Sequence, residues 1–258
     1  MRFKLALSAA AAALAIAASA AAQGAKPTIV LVHGAFADSS SWNGVVADLE
    51  RDGYPVVAAA NPLRGIASDA TYVAALVKAT KGKVILVGHS YGGAVISQAA
   101  ASADNVTGLV FVSAFSPDVG ETLGGLGERF PGAALGAALA PSPLPDGGVD
   151  LYVRQDQFGK VFAPDVPPAA AKLAAAEQRP IAAGAFTEKQ AAAAWKTLPS
   201  WHIYGSKDQA ISPAAMAFMA DRAHARKTVV VPGGSHVTLI SHADEVAALI
   251  ESAATASK

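Results

Sequence analysis

The chain has 258 residues, with 20 basic residues, 20 acidic residues, six histidines and no cysteine. Its length is sufficient for one large α/β domain, and the absence of cysteine excludes a thiol nucleophile, thiolate metal ligands and disulfides. The charges are balanced and form no basic run, so we expect no nucleic-acid partner.

The first 22 residues have the pattern of a secretory signal peptide. Arg2 and Lys4 give a positive start, Leu5–Ala18 is apolar, and Ala20–Ala22 offers small residues for cleavage before Gln23. The apolar run is too short and too rich in alanine for a transmembrane anchor. We therefore expect a periplasmic or secreted protein without a stable membrane anchor, in which residues 23–258 form a single domain.

Short β-branched runs alternate with longer helical patterns along most of the chain. In chain order, the predicted elements are strand Thr28–Val32, helix Trp42–Arg51, strand Pro55–Ala60, helix Asp69–Thr80 capped by Ser68, strand Lys83–Val87, helix Gly92–Ala103, strand Val106–Ser113, strand Trp201–Tyr204, helix Pro213–His224, strand Thr228–Val231 and a helix from Ser241 to about Ala253. This alternation predicts an α/β fold with a six-stranded, mostly parallel sheet flanked by helices. We expect the strand order 2-1-3-4-5-6, with a switch point between the first and third strands.

Residues 115–198 interrupt this alternation after the fourth strand, and we call them the insertion. Glycine and proline are frequent in Pro117–Gly148, and helices are predicted over Pro168–Gln178 and Glu188–Trp195. Thr187 and Gln190 have the spacing of a capping box for the second helix. Of the aromatic residues near the predicted site, we expect five to bind substrate: Phe36, Phe115, Tyr152, Phe158 and Phe162.

The segment Lys83–Ser97 predicts a buried strand, a sharp corner at Ser90 and a helix. Gly88, Gly92 and Gly93 surround the serine, as a tight strand-to-helix corner requires. Such a corner lifts the hydroxyl above the sheet edge and directs backbone N–H groups towards the same point. The G-x-S-x-G pattern alone is weak, but its position between a strand and a helix favours a nucleophile.

A serine nucleophile needs a base, and His236 is the best candidate among the six histidines. It follows the last strand, in a loop at the carboxyl edge of the sheet. His33 and His89 lie beside turns, where we expect them to orient backbone. His202 lies in a strand, His224 ends a helix and His242 begins one.

The base needs a carboxylate partner, and two aspartates fit. Asp208 follows the fifth strand, and Asp118 follows the fourth. We favour Asp208, because serine, aspartate and histidine then follow the chain order expected of this arrangement. For the oxyanion hole we expect the backbone N–H groups of Ala35 and Tyr91, with Phe36 as the alternative second donor.

Together these segments resemble the α/β-hydrolase superfamily, and in particular the bacterial relatives of plant methylesterases and hydroxynitrile lyases. The resemblance rests on Val32–Ala35, Gly88–Gly93, Gly205–Asp208 and Gly234–His236, and it extends over residues 28–253. It implies a Ser90/His236/Asp208 triad, an oxyanion hole of Ala35 and Tyr91, a helical lid, and no metal or organic cofactor. The first antiparallel strands of the fuller superfamily pattern are missing, which affects the size of the sheet and not the chemistry.

The favoured function is hydrolysis of small to medium, apolar or aromatic carboxylic esters through an acyl-enzyme, by a monomer or homodimer. The alternatives are a hydroxynitrile lyase-like C–C lyase and a slow-turnover binding protein on the same scaffold. In the lyase branch of the resembled group, a threonine follows the first-strand histidine and a lysine follows the catalytic histidine. Gly34 and Val237 stand at these positions here, which favours the esterase.

Overall fold

A computed structural model describes residues 25–256 of the chain. The predicted signal peptide, residues 1–22, lies outside the described residues. Among the helices of residues 25–256, none is both long enough and apolar enough to cross a membrane.

Strands and helices alternate as the sequence predicts, with additional elements in the insertion. The strands are β1 (Thr28–Val32), β2 (Val56–Ala59), β3 (Val84–His89), β4 (Val106–Val112), β5 (Leu139–Pro143), β6 (Val149–Val153), β7 (Ile181–Ala182), β8 (Ser200–Gly205) and β9 (Lys227–Val231). The helices are α1 (Asn43–Arg51), α2 (Ile66–Ala79), α3 (Gly92–Ala100), α4 (Leu123–Arg129), α5 (Leu135–Ala138), α6 (Gln155–Val161), α7 (Pro168–Glu177), α8 (Pro213–Arg222), α9 (Thr238–Ser241) and α10 (Ala243–Ala256), with 3-10 turns at Ser39–Trp42, Ala183–Phe186 and Ala194–Lys196.

The main sheet has six strands in the order β2-β1-β3-β4-β8-β9, and every neighbouring pair is parallel. This confirms the predicted order and the switch point between β1 and β3. All six residues of β3 are buried, as expected for a central strand covered by helices on both faces. Val32 pairs with Gly88, so the loop after β1 and the corner after β3 meet at one edge of the sheet.

The insertion is not purely helical, because it also contains a small antiparallel sheet of β5, β6 and β7. The predicted helix over Pro168–Gln178 is confirmed as α7. The predicted helix over Glu188–Trp195 is wrong, and a 3-10 turn at Ala194–Lys196 is the helical structure in that region. The Gln190 side chain caps nothing there; it donates hydrogen bonds to the carbonyls of Ala94 and Ala192 and ties this segment to α3.

The predicted Ser68 cap is also wrong, because α2 begins at Ile66, three residues before the predicted start at Asp69. The N-terminus of α2 is capped by Glu188 from the insertion, whose carboxylate accepts hydrogen bonds from the N–H groups of Ile66 (2.6 Å) and Ala67 (2.9 Å). A carboxylate at this position satisfies helix donors that have no partner within the helix and complements the helix dipole.

Candidate active site

Ser90 occupies a strained corner between β3 and α3. Its φ of 54° lies in the left-handed region that side chains other than glycine rarely adopt. A Cβ atom at Gly88 would lie 2.6 Å from the carbonyl oxygen of Gly92, and one at Gly92 would lie 2.5 Å from the carbonyl oxygen of Val32. The two glycines therefore allow the tight turn, and the surrounding packing holds the serine in a conformation typical of a functional site.

His236 and Asp208 come together at the same edge of the sheet. Nδ1 of His236 lies 2.7 Å from Oδ2 of Asp208, and both side chains are completely buried. The other carboxylate oxygen, Oδ1, accepts hydrogen bonds from the N–H groups of Ala210 (2.8 Å) and Ile211 (2.9 Å). This carboxylate places the proton of a neutral imidazole on Nδ1, which leaves Nε2 as the basic atom. Nε2 is buried and has no hydrogen-bond partner among residues 25–256.

Asp118 lies elsewhere and does not contact His236. Its Oδ1 is 2.5 Å from Nζ of Lys196 and also accepts a hydrogen bond from the N–H of Val119. Burial alone would raise the pKa of Asp118, but the hydrogen bonds from Lys196 and Val119 outweigh this effect and hold that pKa below its usual value. The carboxylate is therefore engaged as an ion pair.

Two backbone N–H groups beside the corner have no hydrogen-bond partner among the described residues. Neither Ala35 nor Tyr91 donates its N–H to another group within residues 25–256. The N–H of Phe36, the alternative donor, is used by the carbonyl oxygen of Arg179 at 3.0 Å. Of the two candidate pairs, Ala35 with Tyr91 is thus the one left available.

The loop that carries Ala35 is held against Ser90 by its neighbours. A Cβ atom at Gly34 would lie 2.6 Å from Cβ of Ser90, so the loop approaches this closely because residue 34 is glycine. The His33 ring donates from Nδ1 to the carbonyl of Gly34 and accepts at Nε2 from the N–H of Asn61. Burial lowers the pKa of His33, which favours the neutral ring. The two hydrogen bonds of this ring hold the backbone at Gly34 against that at Asn61.

His89 orients the backbone of the loop that carries His236. Its Nε2 donates to the carbonyl oxygen of His236 at 3.1 Å, and the centroids of the two rings lie 4.8 Å apart. Burial and the neighbouring His236 hold the pKa of His89 well below its usual value. Because His89 directly precedes Ser90, it also sets the histidine loop next to the serine corner.

An apolar cavity of about 190 Å³ lies beside the His236 ring. Its lining comprises Phe36, Ala37, Asp38, Ser40, Ser41, Asn43, Gly44, Phe158, Phe162, Ala174, Glu177, Gln178, Val237 and Ile240. The Phe162 ring contacts the His236 ring edge-on at 4.9 Å and the Phe36 ring at 6.0 Å. Neither Ser90 nor His236 belongs to this lining, and the cavity is connected to the histidine through Phe162 and Val237.

Three of the five expected substrate-binding aromatics line this cavity, and two do not. Phe36, Phe158 and Phe162 line it. Phe115 is buried next to the corner, where its N–H donates to the carbonyl oxygen of Ser90 at 3.1 Å. Tyr152 lines a separate groove on the insertion.

Two aspartates to which the sequence assigns no role at the site also contact this region. Asp69, completely buried in α2, accepts a hydrogen bond from the Tyr91 hydroxyl at 2.8 Å. Asp165, in the insertion, contacts the loop before His236. No local pattern marks either residue, because their partners lie 22 and 70 positions away.

The sequence model of the alpha/beta hydrolase family matches residues 29–249. The chain belongs to the alpha/beta hydrolase family. This match covers the corner, both aspartates proposed as partners of the base, and His236.

Individual relatives and solved structures are similar to most of the chain. The pimeloyl-[acyl-carrier protein] methyl ester esterase of Stenotrophomonas maltophilia (strain R551-3) is 26% identical over 255 residues, covering 88% of this chain and 93% of that protein. A pyrethroid hydrolase from Sphingobium faniae JZ-2 superposes with a TM-score of 0.70 at 25% identity, covering 89% of this chain and 98% of that one. A methylesterase from Arabidopsis superposes with a TM-score of 0.74 at 17% identity, covering 89% and 99% respectively, and shows the shared fold.

Proposed function

We propose that this alpha/beta hydrolase cleaves carboxylic esters, with Ser90 as nucleophile, His236 as general base and Asp208 as the residue that orients the histidine. The observation that carries the proposal is the buried 2.7 Å contact between His236 and Asp208. It fixes the proton on Nδ1 and leaves Nε2 available, in a loop bonded to the residue before the strained serine.

In the proposed reaction, Nε2 of His236 accepts the hydroxyl proton as Ser90 attacks the ester carbonyl. The alkoxide of the tetrahedral intermediate forms where the N–H groups of Ala35 and Tyr91 can donate to it. His236 then returns the proton to the departing alcohol, and an acyl-enzyme remains on Ser90. Water, activated by the same histidine, releases the acid.

The charged and polar groups of the site are placed to stabilise the charges that form during this reaction. His236 becomes an imidazolium during each half-reaction, and the buried Asp208 carboxylate stabilises that cation at short range. The donors for the oxyanion are backbone groups, Tyr91 directly before α3 and Ala35 in a loop held by His33 and packed against Ser90, so they need little rearrangement as negative charge develops. The relatives named above as esterase, methylesterase and hydrolase support the same class of reaction.

We further propose that the apolar cavity receives one arm of a small to medium, apolar or aromatic ester. An engineered protein cavity of about 150 Å³ lined by apolar side chains holds benzene, and this one is larger, at about 190 Å³. Three phenylalanines supply most of its aromatic surface, and one of them contacts the His236 ring.

The experiment is rapid mixing of the protein with a p-nitrophenyl ester. The proposal predicts a burst of p-nitrophenol equal to the enzyme concentration, followed by steady turnover. A burst without turnover would indicate a binding protein that is acylated once. The absence of both burst and turnover across a panel of esters would contradict the proposal.

We also propose that residues 1–22 are removed on export, so that the hydrolase acts in the periplasm or outside the cell. The basic start, the apolar run and the small residues before Gln23 support this. N-terminal sequencing of the protein recovered from its native host would test it. A mature chain that still begins at Met1 would contradict it.

A further inference from the structure

Asp165 connects the insertion to the loop that carries His236. Its Oδ2 accepts a hydrogen bond from the N–H of Ser235 at 2.7 Å, and its Oδ1 accepts one from the Ser235 hydroxyl at 2.5 Å. Oδ2 also accepts from the hydroxyl of Ser241 at 2.9 Å. One carboxylate thus holds the residue immediately before the proposed base and the end of the helix that follows it.

The Ser235 hydroxyl, which is bonded to Asp165, also bonds the residue that follows His236. The Ser235 hydroxyl oxygen accepts a hydrogen bond from the N–H of Val237 at 3.2 Å. Asp165, the Ser235 hydroxyl and the Val237 amide therefore form a short chain of hydrogen bonds that spans His236. Ser235 is buried, at 1% exposure, while the Asp165 side chain is 20% exposed, so water competes little for the Ser235 end of this chain of bonds.

This loop needs external restraint because of its sequence. It begins with Pro232, Gly233 and Gly234, and Gly233 has a φ of 77°. Glycines impose little conformational preference of their own, so the position of His236 depends on bonds made to the loop by other elements. The main domain supplies several of these bonds, from the N–H of Lys207 to the carbonyl of Gly234, from the N–H of Gly233 to the hydroxyl of Ser206, and from the His89 and Asp208 side chains to His236. Asp165 supplies the restraint that comes from the insertion.

The same part of the insertion also forms a wall of the cavity. Phe162 lies three residues before Asp165, lines the cavity and packs against the His236 ring. Residues 162–165 therefore do two things at once: Phe162 covers the cavity, and Asp165 holds the loop that carries His236.

We propose that Asp165 is a positioning residue that fixes His236 through Ser235, and so makes the alignment of the base depend on a seated insertion. This inference rests on the proposed function, since it assigns Asp165 a task in the same reaction. Asp165 does not contact the reacting atoms; its effect passes through the backbone on both sides of the histidine.

The test compares Asp165→Asn with Asp156→Asn. An asparagine at 165 keeps the size of the side chain but replaces one acceptor oxygen by an NH₂ donor, which cannot accept from Ser235 or Ser241. We expect kcat for a p-nitrophenyl ester to fall roughly 10- to 100-fold, the scale of a small misplacement of a catalytic group, while KM changes little. Asp156 is an exposed carboxylate of the same insertion, so its variant should behave as wild type.

A spectroscopic readout separates positioning from a loss of folding. The proton on Nδ1 of His236, shared with the buried Asp208 carboxylate, should give a sharp downfield ¹H resonance in the wild-type protein. We expect this resonance to broaden or shift in Asp165→Asn and to be unchanged in Asp156→Asn. Ser235→Ala, a smaller change, removes the bridging hydroxyl and should reproduce part of the effect. The double variant with Asp165→Asn should be less impaired than the sum of the two single effects.

An unchanged kcat and an unchanged resonance in Asp165→Asn would overturn the inference, as would effects of Asp165→Asn and Ser235→Ala that simply add. If Asp165→Asn does not fold, a Ser235→Ala variant with wild-type kcat and resonance would overturn it in the same way. The proposed function fails by a different result, namely wild-type activity in Ser90→Ala. In that case the resonance still decides whether Asp165 positions His236.

Discussion

Nδ1 of His236 lies 2.7 Å from Oδ2 of Asp208, with both side chains removed from solvent. Burial of a carboxylate without a partner is costly, so the bonds from Ala210, Ile211 and His236 all help to keep it in place. The arrangement selects one imidazole tautomer and stabilises the cation that forms when Nε2 takes a proton. Loss of the bond between His236 and Asp208 should therefore lower the rate of the chemical step far more than the affinity for substrate.

Asp208→Asn should reduce kcat by several orders of magnitude, close to the ~10⁴-fold effect known for this substitution in a serine protease triad. The amide can donate to Nδ1 and favour the tautomer with its proton on Nε2, where it cannot act as the base. Steady-state kinetics with a p-nitrophenyl ester measure the change.

Asp118→Asn is the matched control, because the same substitution there removes an ion pair with Lys196 at a distance from His236. We expect nearly wild-type kinetics from it. A severe loss in Asp118→Asn together with a mild one in Asp208→Asn would reverse the assignment of the two aspartates.

The strands of the sheet could be predicted from the sequence because each strand is indicated by the residues of its own short segment. The run Thr28–Val32 is predicted and observed with the same bounds, since a short β-branched segment between turns has few alternatives. The insertion could not be predicted as well. Thr187 and Gln190 form a local capping pattern, yet Glu188 between them caps a helix whose first residue is 122 positions away, and the segment is held by such distant contacts instead of folding as a helix.

In the candidate site, too, features indicated by neighbouring residues could be predicted, and features that depend on distant contacts could not. The corner at Ser90 and the loop of His236 are marked by nearby glycines and by their position after a strand, so the sequence indicates both. Asp165 carries no local mark, because its role arises when a residue of the insertion meets Ser235, 70 positions later. The cavity likewise depends on how Phe162 packs against Phe36 and Phe158, which periodicity does not specify.

The cavity predicts a preference for larger esters. In the wild-type protein, kcat/KM should rise from p-nitrophenyl acetate to medium-chain or aromatic esters. Ala174→Phe, which places a ring into the cavity lining, should lower kcat/KM for the larger esters by roughly tenfold or more and leave acetate nearly unchanged.

Ala176→Phe, on the exposed side of the same helix, is the control for this substitution, because Ala176 lines a different groove. It should retain the wild-type profile. A flat dependence on acyl and alcohol size in the wild-type protein would show that the cavity does not receive substrate.

The residues beside the proposed machinery predict an esterase and not a hydroxynitrile lyase. Val237 is 2% exposed and lines the apolar cavity, so it offers neither charge nor donor to a departing cyanide. A side chain at position 34 would press on Ser90, with its Cβ 2.6 Å from the serine Cβ. Under matched conditions we expect p-nitrophenyl ester hydrolysis to exceed cyanide release from mandelonitrile. Cyanide release well above the Ser90→Ala background, with ester hydrolysis near zero, would favour the lyase.

A buried histidine that is not part of the candidate site, His202, predicts part of the acid sensitivity of the fold. The His202 ring stacks on Phe111 with centroids 4.6 Å apart, and burial lowers the pKa of His202 from 6.5 to about 3. The folded state therefore excludes a proton that the unfolded chain binds below about pH 6.5, so this contribution to stability is present above that pH and is lost as the pH falls. Between pH 7 and pH 5 the loss for this one residue is ~2 kcal/mol.

Urea unfolding at the two pH values measures this effect in the wild-type protein and in His202→Phe. The variant should lose ~2 kcal/mol less free energy of unfolding over this interval, since His33 and His89 contribute equally to both proteins. Identical losses in the two proteins would show that His202 is protonated in the folded state or titrates normally.

Ester turnover by Ser90→Ala tests the central claim most directly. The substitution removes the hydroxyl at the corner, and loss of a triad member typically costs on the order of a millionfold in serine hydrolases. We expect the purified variant to keep its circular dichroism spectrum and unfolding temperature while its hydrolysis of a p-nitrophenyl ester falls to background. A folded variant that retains more than a few per cent of wild-type activity, with contaminating esterase excluded, would contradict the assignment of Ser90 as the nucleophile.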